Sequence, residues 1–135
     1  MPSDDTTTTT TTTTSGGGRK WLVVEPDVEA AHGVGGVVWK LPHDGDLDGN
    51  LVRLAPGRSI DEHVNRDVDV LVVVRAGDGE LTVDGEPHAL TLTTLALIPR
   101  GTRRSITAGH DGITYLSIHR RRDGLSIGHA VAQGV

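Results

Sequence analysis

The sequence predicts an all-β domain, a sandwich or barrel with almost no helix, and three observations lead there. Short apolar segments, each four to eight residues long, recur at near-regular spacing. Glycine and proline fall between them, where turns between strands are needed. The apolar residues are largely β-branched or aliphatic, with two Trp, one Tyr and no Phe, so Val, Leu, Ile and Ala must fill the core in extended conformation.

Taken in order, the chain opens with a tail. Residues 1–18 contain the unbroken run Thr6 to Thr14, then Ser15 and Gly16-Gly17-Gly18. No side chain there offers apolar burial to offset the entropy of ordering, so the segment reads as a disordered Thr/Gly tail. The domain is expected over residues 19–130, with a short C-terminal tail at 131–135.

Trp21-Leu22-Val23-Val24 reads as the first strand. Val28 to His32 reads as a turn or a single helical turn, and Val37 to Leu41 as a second strand. His43 to Gly49 is an acidic loop, followed by the alternating strand Asn50 to Leu54, which Pro56-Gly57 ends. The run Val68 to Val74 suggests a strand covered on both faces. Gly77-Asp78-Gly79 is expected to turn the chain. Leu81 to Val83 and the segment up to Leu92 form a hairpin around Asp84-Gly85. Leu95 to Ile98, Arg104 to Thr107 and Ile113 to Arg120 complete about nine strands, the pattern of a sandwich or barrel.

Composition narrows the function. The chain has 135 residues, the size of one domain, and no cysteine, which excludes disulfides, thiolate metal sites and a cysteine nucleophile. A net charge of −5 argues against general affinity for nucleic acid or an anionic membrane. Arg103-Arg104 and Arg120-Arg121-Arg122 lie at strand ends and lack the interleaved aromatics of a base-stacking surface, and the second cluster reads as a solvated edge. No stretch approaches the roughly 20 apolar residues of a membrane helix, and the first residues lack the apolar stretch of a secretory signal. A cytoplasmic location is the expectation. Phosphate-loop, nucleophile-elbow and dinucleotide motifs are absent.

Pro56-Gly57, His63-Val64-Asn65, the apolar strand, Gly77, Val83-Asp84-Gly85 and Ile98-Pro99-Arg100-Gly101-Thr102 together resemble the cupin superfamily. In particular they resemble its small single-domain bacterial members of the RmlC-like type. The resemblance runs from about Asn50 to about His119. It implies a jelly-roll β-barrel of two facing antiparallel sheets. The family's first motif is a glycine, five residues, His-x-His, three or four residues, a glutamate, six residues and a glycine. Gly57, His63 and Gly77 fit it. The second histidine position holds Asn65, and the glutamate position falls on Asp69, or on Val70 with the longer spacing. In the second motif Pro99 and Gly101 fit, but the histidine position is Arg104 and the final asparagine is Ala108.

The resemblance implies a site of three imidazoles and a carboxylate around a divalent transition metal. This chain offers one imidazole, one amide and one carboxylate, and an amide oxygen is a weak ligand for such ions. Arg104 is a permanent cation, and a unit charge ~5 Å from a divalent ion costs roughly 7 kcal/mol at an effective dielectric near 20. A metal-free barrel is therefore expected, with no cofactor. A reduced ligand set of His63, Asp69 and His119 is the alternative.

With Asp69 facing the lumen, strand parity would put Leu71 and Val73 there too. Arg104 and Asp69 would then pair where the metal sits in the family, hydrogen-bonded by His63 and Asn65. Tyr115, Ser117 and His119 alternate with Leu116 and Ile118. That reads as a solvent face over a core face, or else as Tyr115 and His119 at the pocket mouth. The expected pocket is thus His63, Asn65, Asp69, Arg104, Tyr115 and His119. The remaining histidines read as solvated. The function expected is binding or regulation with a small anionic molecule, the barrel standing alone or as a homodimer. The alternative is an enzyme, either a metal-dependent oxygenase or isomerase or a metal-free catalyst using His63 and Asp69.

Overall fold

The structure, a computed structural model, describes residues 9–16, 19–28, 35–42 and 45–121. Every regular element among them is a strand. These are β1 Thr9–Gly16, β2 Arg19–Pro26, β3 Gly36–Lys40, β4 Leu47–Leu54, β5 Ser59–Val64, β6 Val70–Val83, β7 Glu86–Leu90, β8 Leu95–Ile98 and β9 Arg103–Arg120. All pairings are antiparallel. β3, β4, β9, β6 and β7 follow one another in one sheet, with β5 added on β9 and β8 on β6.

That sheet folds over on itself because its two longest strands change partners midway. Val70–Val73 of β6 pairs with β8, and Val70–Val74 with the second half of β9. Gly79–Val83 pairs with β7 and the first half of β9. The second half of β9 also pairs with β4, and its first half with β5. One facing sheet is therefore β8, β6, β9, β4, β3, and the other is β7, β6, β9, β5. Val52, Val70, Val72, Val74 and Tyr115 of the first share one core cluster with Leu81, Leu90, Ile106 and Ala108 of the second. This is the expected jelly roll.

Four expectations change. Gly77-Asp78-Gly79 is not a turn but the bend inside β6, and Arg104–Thr107 and Ile113–Arg120 are one strand, bent at Gly109–Gly112. The register between β6 and β9 shifts at Val74/Ala76 and again at Gly77/Gly79. Extra residues of this kind bend a strand and reverse which side chains face inward. Val70, Val72 and Val74 point into the core before the bend, and Leu81 after it. On β9, Arg104, Ile106 and Ala108 are buried before it, and Ile113 and Tyr115 after it. Ser59–Val64, which carries no sustained alternation, is an additional strand.

The threonine run is the fourth change. Thr9–Gly16 pairs along its length with Arg19–Pro26, forming a two-stranded sheet separate from the barrel. β-branched threonine favours the extended backbone, and pairing with Arg19–Pro26 gives that backbone its hydrogen-bond partners. The barrel strands consequently begin at Gly36 rather than near Arg19. Most of the expected turn at Val28–His32, the start of the acidic loop at His43 and the C-terminal tail lie outside the described residues.

Candidate functional site

The inner face is built from strand register. In one row across the first sheet, Asp48 of β4, His119 of β9, Val70 of β6 and Ile98 of β8 are successive partners. The next row is Asn50, Ser117, Val72 and Ala96, and the next is Val52, Tyr115 and Val74. Neighbouring Cβ atoms in such rows are about 5 Å apart, and successive inward residues on one strand about 7 Å. Tyr115, Ser117 and His119 therefore form a polar line down an otherwise apolar wall. All three are at most 5 % exposed, Tyr115 and Ser117 not at all. The alternation in β9 was legible; its direction was not. The polar side faces the interior, and Leu116 and Ile118 lie half-buried on the other side.

These side chains end in unsatisfied atoms. The Tyr115 hydroxyl, Ser117 Oγ and His119 Nε2 are buried without a hydrogen-bond partner among the described residues, and so is Nε2 of His63. Burial alone pushes the Tyr115 phenol far above the ordinary tyrosine range. Both histidines have a defined tautomer. His63 Nδ1 lies 2.9 Å from the Asp61 carbonyl oxygen, and His119 Nδ1 lies 2.9 Å from that of Arg120. A carbonyl only accepts, so each Nδ1 carries the proton and donates it. Each ring then turns toward the interior an Nε2 that, in the neutral form, is a hydrogen-bond acceptor. Ser117 was absent from the expected pocket, although its place between Tyr115 and His119 on one face was the signal for it.

The motif positions have been put to other uses. Asn65 is buried, but its Oδ1 accepts from the backbone N–H of Asp67 at 2.9 Å and of Val68 at 3.2 Å, while its carbonyl accepts from Gly101 N–H at 2.7 Å. It holds the loop entering β6 and is not presented to a ligand. Asn65→His, which restores the family's residue, is expected to cost about 1–2 kcal/mol in urea unfolding, because the loop amides lose their acceptor.

Asp69 is exposed and precedes β6; its Oδ1 accepts from Arg100 N–H at 2.9 Å. The placement of Asp69, Leu71 and Val73 in the lumen is therefore corrected: Val70 takes the glutamate position, with Val72 and Val74 behind it. The longer motif spacing applies, and the apolar side chain rather than the carboxylate is driven inward. The expected Arg104–Asp69 pair is corrected with it. Arg104 is fully buried opposite His63, and its Nη1 donates to the Thr102 carbonyl at 2.8 Å.

The family's metal does not fit these residues. Of the four ligand positions, His63 alone presents a free lone pair; Asn65 Oδ1 is consumed, Val70 has no donor, and Arg104 is a cation. Among the described residues no group of three or more His, Cys, Asp or Glu is placed to hold an ion. The reduced set His63, Asp69, His119 loses its carboxylate to the outside. An acid–base pair of His63 and Asp69 is not formed either. His88 and His110 are exposed, as expected. Arg120 is exposed and donates to the Asp67 carbonyl, and Arg103 lies 3.9 Å from Glu62 on the surface.

No protein-family model and no curated protein sequence matches the chain. Solved structures do. KdgF from Halomonas sp. is similar with a TM-score of 0.59 and 22 % identity, over 63 % of this chain and 78 % of that one. An uncharacterised conserved protein with a double-stranded β-helix domain from Klebsiella pneumoniae gives 0.57 and 17 %, over 65 % and 78 %. A cupin superfamily protein from Desulfitobacterium hafniense gives 0.55 and 19 %, over 62 % and 75 %. The register of the two bent strands and these likenesses agree, and the chain has the cupin fold, a small double-stranded β-helix.

Proposed function

We propose that this barrel is a cytoplasmic, metal-free binding module that takes a small polar, anionic molecule against Tyr115, Ser117, His119 and His63. The observation that carries the reading is the set of buried polar atoms with no partner among the described residues. Each unsatisfied buried group costs about 1–3 kcal/mol, and folded proteins carry few of them without a water, an ion or a ligand to explain them. Four on one interior are what a ligand would satisfy.

The tautomers say what that ligand offers. In the neutral rings the two Nε2 atoms accept, and a ligand meeting them there brings proton donors, hydroxyl or amide groups. The Tyr115 and Ser117 hydroxyls both donate and accept. Arg104, in register with His63, adds positive charge to the interior and favours a carboxylate or phosphate. A hydroxylated organic acid meets all three demands. An acid–base enzyme gains no support, since the carboxylate it requires faces solvent.

The test is a thermal-shift and calorimetric screen with hydroxy acids and their deoxy analogues, on the wild-type chain and on Tyr115→Phe. Binding is expected for hydroxy acids, weaker by roughly tenfold for Tyr115→Phe, the loss of one hydrogen bond. Without ligand, Tyr115→Phe is expected to be as stable as wild type or about 1 kcal/mol more so, because it removes an unsatisfied group. A costly Tyr115→Phe change together with no response to any acid would mean that ordered water satisfies these atoms, and the reading would fall.

A further inference from the structure

β8 is the outermost strand of its sheet, and among the described residues it pairs with β6 and nothing else. A free edge presents unpaired N–H and C=O groups, and charges or proline normally guard it. β5 carries Asp61 and Glu62, and β7 carries Glu86 and Pro87. Residues 89–99, which include β8, have no charge among them. Leu95 and Leu97 are each 66 % exposed, and Leu92, in the turn before them, is 63 % exposed. Beside them, between β7 and β8, runs a groove of about 670 Å³ whose floor includes Leu81, Leu90, Ala96 and Ile98.

We infer that this edge is the docking site of the chain's own C-terminal segment, residues 127–131, which adds a strand to β8 and covers the leucines. Residues 122–135 lie outside the described residues, and three observations favour them as the occupant. The first is direction. β9 and β8 are both antiparallel to β6, and His119, Val70 and Ile98 are successive partners in one row. β9 and β8 therefore run the same way and end together, so a chain that reverses after β9 runs antiparallel to β8. Asp123-Gly124 comes shortly after β9, and that dipeptide favours the positive φ of a tight reversal.

The second is reach. From β9 to the position beyond β8 is three strand spacings, about 14 Å. An extended chain covers roughly 3.3–3.6 Å per residue, so about five residues from Arg121 bring it alongside β8 before Ile127. The third is chemistry. Residues 124–135 contain no Asp, Glu, Lys or Arg, and Ile127 and Val131 offer apolar side chains to the exposed leucines. Of the longer segments outside the described residues, 1–8 carry Asp4 and Asp5 and no apolar run, and 29–34 are held at both ends between β2 and β3. Tethering favours the chain's own segment over any free strand, because a short linker holds it at a local concentration on the order of millimolar.

Hydrogen exchange on the full-length chain, read by mass spectrometry, tests the docking. Amides of residues 127–131 and the free-edge amides of β8 are expected to exchange at least roughly tenfold more slowly than in an unstructured chain. Ile127→Lys and Val131→Lys each set a charge against Leu95 and Leu97, where it has to be desolvated. Each is expected to speed exchange by roughly tenfold in both places, with β4, β6 and β9 as protected as in wild type. Leu97→Lys is expected to release residues 127–131 in the same way. The tail variants alter no barrel residue, so a changed β8 signal reports docking and not misfolding. Three results would each overturn the inference. One is exchange of residues 127–131 at the unstructured rate. Another is a tail lysine that deprotects β5 in place of β8. The last is protection that rises with protein concentration, as a second copy at the edge would give.

Discussion

Gly77→Ala is expected to destabilise the barrel by about 2–5 kcal/mol, a large share of the stability of a domain this size. Two effects add. Gly77 has φ +72°, where a non-glycine residue costs roughly 1–2 kcal/mol. Its added Cβ would also run into the carbonyl oxygen of Gly112, and forced overpacking costs about 1–3 kcal/mol. Gly112 cannot retreat. It too has positive φ, and a Cβ there would meet the Arg53 guanidinium and the Leu54 carbonyl oxygen. Arg53 is itself pinned, donating to the Asp111 carbonyl at 3.0 Å and to Thr114 Oγ1 at 3.3 Å. The bends of β6 and β9 thus interlock backbone to backbone, with a buried arginine behind them.

Gly57→Ala is the control that separates these effects. Gly57 has φ +75°, but a Cβ there meets nothing within 4 Å. It is expected to lose only the conformational part, roughly 1–2 kcal/mol. The comparison is made by urea unfolding at matched temperature. Equal losses at the two positions would mean that the bend is not sterically closed.

That interlock also explains what could be read from the sequence. The glycines, prolines and apolar runs placed most strands and the jelly roll, because turn chemistry and burial are local signals. The bends defeated the reading. Gly77-Asp78-Gly79 has the composition of a turn, yet both strands continue through their glycines, and the register shifts reverse the inward parity on each. Parity is global: nothing near Tyr115 says whether the polar or the apolar side faces the core. Nor did Asp69 and Val70, adjacent in sequence and both allowed by the motif spacing, announce which one turns inward. Asn65 was legible as a weak ligand, but its two bonds to the loop amides depend on a backbone the sequence does not display. Arg53, buried behind the bend, sits in an alternating strand where nothing in the sequence marks its burial.

The buried phenol gives the barrel an alkaline limit. Tyr115 is the only tyrosine in the chain, and burial raises its pKa far above the ordinary value, near 10 in an unfolded chain. The folded state holds the phenolic proton where the unfolded state has released it. A raised pKa of this kind contributes stability that is fully present below about pH 10 and is lost as pH rises above it. The slope is about 1.4 kcal/mol per pH unit, so roughly 3 kcal/mol is gone by pH 12, approaching the effect of the glycine substitution. Two observables follow. Phenolate absorbance is expected to be silent through the range where free tyrosine titrates, and then to appear together with the loss of the β-sheet circular dichroism signal. Tyr115→Phe is expected to lack this part of the slope, so its stability advantage over wild type grows with each pH unit above 10. A phenolate signal rising near pH 10 in a chain that keeps its sheet signal would show that the hydroxyl reaches solvent. The polar line on β9 would then be an open surface rather than the wall of a closed interior.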